Sequence, residues 1–314
     1  MKSPLVILGA TGGVGRGVVR AAVKAGWPVI AVARGGRELK LLAAAYPEAD
    51  LTVLSGSVAS DADGAKLARA LRKLGRPLAG VVAAVCGSNE RGRLLDHPAA
   101  FLRRKLDEDL LPHLAAARHL LPLLAEGDRG GSYVLIGGPG SEHPWAGYGH
   151  RSIGAAALRM LARVLHDEAR QMSVRVQLLA VDMPVRTELN DCHACPEWPS
   201  ALSIGQRALA LIEQAELRSE PPRAVVTYAR APGPGALPSY AVDLSDDIDR
   251  EPPPHAATPA RAQPAATTTQ ATPATSTQDP DSPSDAKAQR CLQDARALLK
   301  AITTSKTNQE PSPQ

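Results

Sequence analysis

A doubly wound, seven-stranded parallel α/β sheet is the fold that this sequence predicts, on three observations. Strand-like and helix-like segments alternate from the first residues to residue 228. The strand-like runs are short and almost continuously apolar, as expected of strands covered by helices on both faces. The first run breaks into glycines where an amphipathic helical pattern begins, which is how a βαβ unit opens.

In order, the expected strands are 5–8, 29–33, 51–54, 79–85, 133–136, 174–181 and 224–228. Helical periodicity fills the intervals at 14–25, 37–46, 61–74, 97–125, 146–172 and 203–217. Right-handed crossovers then bring the loops that leave the first, second, fourth, fifth and sixth strands to one carboxyl edge, where ligands bind in such sheets.

Residues 4–17 read Pro-Leu-Val-Ile-Leu-Gly-Ala-Thr-Gly-Gly-Val-Gly-Arg-Gly. The spacing fits Gly9-x-x-x-Gly13-x-Gly15 or Gly9-x-x-Gly12-x-x-Gly15. Glycine has no Cβ to hold a ligand away, and a helix start offers unpaired N–H groups and a positive dipole end, so the turn suits a pyrophosphate. Gly9, Thr11, Gly12, Gly13, Val14 and Gly15 are its candidate contacts. The second strand ends Val32-Ala33-Arg34-Gly35-Gly36-Arg37, with no carboxylate before Glu38. An acidic residue there would accept from the ribose 2′-OH of NAD, whereas arginine pairs with the 2′-phosphate of NADP. NADP (NADPH) is therefore the expected cofactor, with Arg34 as principal contact and Arg37 as a second.

Composition divides the 314-residue chain into a sheet-forming domain at 1–244 and a tail. Residues 245–284 are rich in Pro, Ala and Thr, with almost no large aliphatic side chain, and such a segment buries too little to offset its ordering entropy. A disordered linker is expected there. A short amphipathic helix is expected at 285–303 (Cys291, Leu292, Ala295, Leu298, Leu299, Ile302), either a lone, marginal helix or, as the alternative, a docking element for a protein partner or a second subunit, followed by a disordered end at 304–314.

The net charge of +4 is scattered over helices rather than gathered in a stripe, which argues against nucleic acid. No segment approaches the roughly 20 apolar residues that cross a bilayer, and the apolar run in residues 1–10 is too short for a secretory leader. A cytoplasmic protein without membrane contact is expected. Four cysteines do not make a disulfide framework in such a chain. Cys192 and Cys195 form one Cys-x-x-Cys, half of a structural zinc site, and no metal is expected.

Two further stretches, Gly131-Ser132-Tyr133-Val134-Leu135-Ile136-Gly137-Gly138 and Tyr148-Gly149-His150-Arg151-Ser152-Ile153-Gly154-Ala155-Ala156-Ala157, join a later Val174-Arg175-Val176-Gln177-Leu178-Leu179-Ala180-Val181 followed by Val185-Arg186-Thr187. With the opening turn, in this order over about residues 4–230, the chain resembles the short-chain dehydrogenase/reductase family. The resemblance implies a Rossmann fold, a nicotinamide cofactor, a small carbonyl or alcohol substrate, and Tyr148 as the general acid that protonates the carbonyl oxygen. A phenol with a pKa near 10 needs a cation beside it for this work. The family supplies a lysine four residues after the tyrosine, where this chain has Ser152; Arg151 lies nearby but stays protonated and relays no proton.

Other matched positions have also changed. The family's serine after the fifth strand corresponds to Gly138, with Ser141 three residues on. Its helix asparagine corresponds to Asp109, its Asn-Asn-Ala-Gly to Ala84-Val85-Cys86-Gly87, and its adenine-holding acid to Ser57. Thr187 keeps its place toward the carboxamide. The family's helix-paired interface implies a homodimer through the outer side of 153–165 and the helix at 107–125. Two functions follow: a divergent NADPH-dependent carbonyl reductase with a degenerate catalytic set, or an inactive NADP-binding sensor or scaffold of the same fold.

Overall fold

A computed structural model describes residues 2–88, 90–127, 131–217 and 223–229. The expected linker at 245–284, helix at 285–303 and end at 304–314 lie outside the described residues. Seven strands, β1 (Leu5–Leu8), β2 (Val29–Ala33), β3 (Leu51–Ser55), β4 (Gly80–Ala83), β5 (Ser132–Ile136), β6 (Arg175–Ala180) and β7 (Val225–Thr227), form one parallel sheet in the order β3-β2-β1-β4-β5-β6-β7. The order reverses between β1 and β4, and that switch point opens a crevice at the carboxyl ends of the strands.

The continuous apolar runs are explained by two cores, one on each face. Val6, Leu8, Val81, Ala83, Tyr133 and Leu135 point into one, and their neighbours Leu5, Ile7, Val82 and Val134 into the other. Successive side chains of a strand take opposite faces, so every position must be apolar. Helices α1 (Gly13–Lys24), α2 (Gly36–Ala44) and α7 (Ala201–Leu217) cover the second core, with Val18, Leu39 and Ile204 buried in it. Helices α3 (Asp61–Lys73), α5 (Leu111–Ala125) and α6 (Gly149–Ala169) cover the first, with Leu67, Leu120 and Leu158 buried there.

Two helices differ from the sequence expectation. The helix expected over 97–125 is two, α4 (Ala99–Asp109) and α5, broken at Leu110 (φ −109°, ψ −54°). Pro112 explains the break: it has no N–H for the carbonyl four residues back, and its ring crowds that carbonyl, so it sits in the first turn of a new helix. Helix α6 starts at Gly149 rather than 146, because residues 145–148 form a turn in which the Trp145 N–H donates to Ser152 Oγ at 2.8 Å. Both changes place a helix terminus at the carboxyl edge.

No helix among the described residues is long and apolar enough to cross a membrane.

Candidate active site

The glycine turn is bare because backbone occupies the space a side chain would need. Gly9 has φ +73°, a region that costs a residue with a Cβ about 1–2 kcal/mol, and its Cβ would fall on the Ala84 carbonyl oxygen at the end of β4. A Cβ on Gly15 would fall on the Gly9 carbonyl. The Gly12 N–H donates to Gly9 O at 2.9 Å. No side chain caps α1 and its first turn carries no acid, so its leading N–H groups remain available to an anion.

Beside this turn lies a cleft of about 500 Å³ that runs across the switch point from Arg34 to Cys86, Gly87 and Ser88. Gly9, Thr11, Gly12, Arg34 and Ser57 are among the residues that line it. Val14 turns instead to pack on the core under α1, and Gly13 faces Thr187, whose Cβ lies 2.9 Å from where a Gly13 Cβ would sit. Arg37 is exposed in the first turn of α2, outside the cleft lining. Lys66 of α3 shares with Arg34 and Ser57 a recess of about 250 Å³. Helical spacing alone did not single out Lys66, because its side chain is one of several basic ones on α3.

At the other end of the cleft the loop after β4 is fastened by helix side chains. The Gly87 N–H donates to Asp109 Oδ1 at 2.6 Å, and Arg151 donates to the carbonyls of Gly87 (3.5 Å) and Ser88 (3.3 Å). Asp109 Oδ2 and Arg151 Nε are buried without partners. His113 Nε2 lies 3.1 Å from Val85 O and therefore carries the proton, and burial of the ring lowers its pKa to about 4. Burial also lowers His150, reinforced by Arg151 and Lys105. Cys86 opens on the cleft; crowding by protein raises its thiol pKa, and the Arg151 guanidinium beside it works the other way.

Tyr148 caps the start of α6 with its ring stacked on Trp145, centroids 4.3 Å apart. Ser152 is committed to backbone: besides accepting from Trp145 N–H, its hydroxyl lies 3.5 Å from Tyr148 O. Ser141 donates to Asp182 Oδ1 at 3.1 Å, joining the loops after β5 and β6. Thr187 Oγ1 donates to Asn190 Oδ1 at 3.0 Å. Cys192 and Cys195 are exposed free thiols, and no group of three or more metal-ligating side chains occurs among the described residues. Three side chains on this edge had no distinguishing signal in the sequence: Cys86, His113 and Lys105, the last enclosed completely.

The family model described as enoyl-(acyl carrier protein) reductase matches residues 9–197. No curated protein matches the chain. Among solved structures, a short-chain type dehydrogenase/reductase from Mycobacterium ulcerans aligns at 19% identity with a TM-score of 0.64, covering 72% of this chain and 88% of that one. A short-chain dehydrogenase from Streptomyces avermitilis aligns at 24% identity and 0.59, covering 73% and 89%. One from Sphingobium yanoikuyae, in complex with NADPH, aligns at 20% identity and 0.59, covering 72% and 87%. At these identities the structures speak for the fold.

Proposed function

We propose that this chain, which belongs to the short-chain dehydrogenase/reductase superfamily, binds NADP(H) in the cleft at the switch point and interconverts a carbonyl compound and its alcohol. The observation that carries the reading is the joint presence, on one cleft, of the bare glycine turn and of Arg34 where an NAD site would have a carboxylate. Gly9, Thr11, Gly12 and the uncapped start of α1 fit a pyrophosphate, and the Arg34 guanidinium fits a 2′-phosphate through charge-assisted hydrogen bonds.

NADPH, when bound in this cleft, would supply the hydride for the substrate carbon. The proton for the carbonyl oxygen comes from the Tyr148 hydroxyl. Arg151 contributes positive charge near the β4 loop without giving up a proton. Ser141 would orient the carbonyl, and Thr187, which faces Gly13, would hold the carboxamide of the cofactor. Exposed Ile153, Met160 and Val164 on α6, with Leu111 and Leu114 on α5, favour a homodimer through these helices. A cytoplasmic location suits such a reductase.

A second reading, an NADP-binding sensor or scaffold without turnover, is favoured by Ser152: the residue at the family's lysine position carries no charge and spends its hydroxyl on the Trp145 N–H.

Calorimetric titration with NADPH and NADH is the first test. Tight NADPH and weak NADH binding is expected, and binding of neither removes both readings. A carbonyl-substrate screen then separates them, with Tyr148→Phe expected to abolish turnover while NADPH affinity stays within about two-fold. Full activity in that variant removes Tyr148 from the mechanism.

A further inference from the structure

The strip of chain from Gly87 to Gly92 has the cofactor cleft at one end and Tyr148 at the other. At the first end, Cys86, Gly87 and Ser88 form cleft wall. At the second, the Gly92 N–H donates to Gly147 O at 2.9 Å, and Gly92 pairs with Tyr148 as an isolated bridge just before α6. Between the two ends the Lys105 ammonium of α4 meets Ser88 and Glu90.

Lys105 is the enclosed charge of this region, its side chain 0% exposed. Nζ donates to Ser88 Oγ (2.7 Å), Glu90 Oε1 (2.7 Å) and Glu108 Oε2 (3.1 Å), so each of its three protons has an acceptor. Arg104 holds Glu90 from outside with both guanidinium nitrogens at 3.3 Å. The carboxylates respond: hydrogen bonds from Lys105 and Arg104 bring Glu90 down to about 2, and the Lys105 hydrogen bond lowers Glu108. Burial by itself would lower Lys105, yet Glu90 and Glu108 outweigh it and keep the ammonium charged. Taking an ammonium out of water carries a desolvation penalty that pairing must offset, and an apolar side chain of similar length would fill the same space without it. What the charge adds is a defined position for Ser88 and Glu90.

We propose that Lys105 is a positioning residue, which from α4 fixes Ser88 and Glu90 and so sets the cleft wall and the backbone at Tyr148 in one register. The proposal rests on the reading of the cleft as the NADP site. Other groups hold the same strip at separate atoms: Asp109 takes the Gly87 N–H, and Arg151 takes the Gly87 and Ser88 carbonyls. Lys105 and its carboxylates fix the side chains of Ser88 and Glu90, with Arg104 adding a hold on Glu90 from outside, and these residues lie on the path to Gly92.

The test compares the full-length protein with Lys105→Met and Glu90→Gln by hydrogen-exchange mass spectrometry, and measures NADPH binding by calorimetry. In Lys105→Met, amides of 84–93 exchange about ten-fold faster, peptides of β1 and β5 are unchanged, and NADPH binds about ten-fold more weakly, as expected for the loss of charge-assisted hydrogen bonds. Glu90→Gln gives the same local pattern at about three-fold, and serves alone if Lys105→Met does not fold. Wild-type exchange in 84–93 overturns the proposal, and so does an increase spread evenly over the molecule. If 84–93 accelerates but neither protein binds NADPH, the clamp stands and the reading of the cleft falls.

Discussion

Replacing His113 by glutamine tests whether a buried neutral imidazole controls the acid stability of the cleft wall. The ring is 1% exposed and its Nε2–H donates to Val85 O at 3.1 Å, while Nδ1 is buried with no partner. Burial lowers the folded-state pKa from 6.5 to about 4, against smaller opposing contributions from the Val85 hydrogen bond and Asp109. Between these values the unfolded chain binds a proton that the folded chain refuses. Stability is therefore fully present above pH 6.5 and falls as the pH is lowered toward 4.

At about 1.4 kcal/mol per pH unit the whole effect is about 3 kcal/mol, of which about 2 to 3 kcal/mol is spent by pH 4.5. That window is informative because the lowered carboxylates, Asp50, Glu90 and Glu108, act below it. His150, also lowered by burial, contributes equally to both proteins. Urea unfolding of wild type and His113→Gln at half-unit steps from pH 7.5 to 4.5 measures the difference in slope, whatever the variant costs at neutral pH. The variant is expected to lose about 2 kcal/mol less than wild type over this range. Parallel curves, within about 0.5 kcal/mol, would show that His113 charges freely in the folded protein and would refute the argument.

Gly15→Ala drives a Cβ into the Gly9 carbonyl; overpacking of this kind costs about 1–3 kcal/mol, so thermal melting and NADPH calorimetry should both register a loss, and an unchanged affinity would mean that the turn does not carry the ligand. Arg34→Ala should cut the NADPH-over-NADH preference by about ten-fold or more, Lys66→Ala by a smaller factor, and Arg37→Ala not at all, given its place outside the lining; calorimetry of the three variants decides which cation reads the phosphate. Met160→Glu places a charge in the exposed apolar face of α6; sedimentation should show a wild-type dimer and a monomeric variant, and a wild-type monomer would end the dimer reading.

Much of the carboxyl edge of the sheet was legible in the residues themselves. Arg34 could be assigned to the end of β2 because a strand ends where its apolar run ends, and the glycine turn could be placed because Gly9 follows Leu8 directly. Positions set by helix rotation were harder. Arg37 and Lys66 are both basic residues on amphipathic helices, and only the docking of α2 and α3 on the sheet turns one outward and the other beside Arg34. Ser152 occupies a lysine's place in the family pattern, but its engagement with the Trp145 N–H depends on a turn whose shape periodicity does not encode.

The alternation of apolar runs and glycine punctuation is a local property of the chain, and a strand buried on both faces has few other ways to be written. That pattern alone determined the seven parallel strands, the switch-point edge and the bare turn at Gly9. The tertiary structure decided which side chains share that edge. Lys105 meets Ser88 and Glu90 from 17 and 15 residues away in sequence, and His113 meets Val85 from 28. Such pairings arise from the angle at which α4 and α5 pack after the break at Leu110, and a packing angle is set by surfaces that meet only once the chain has folded.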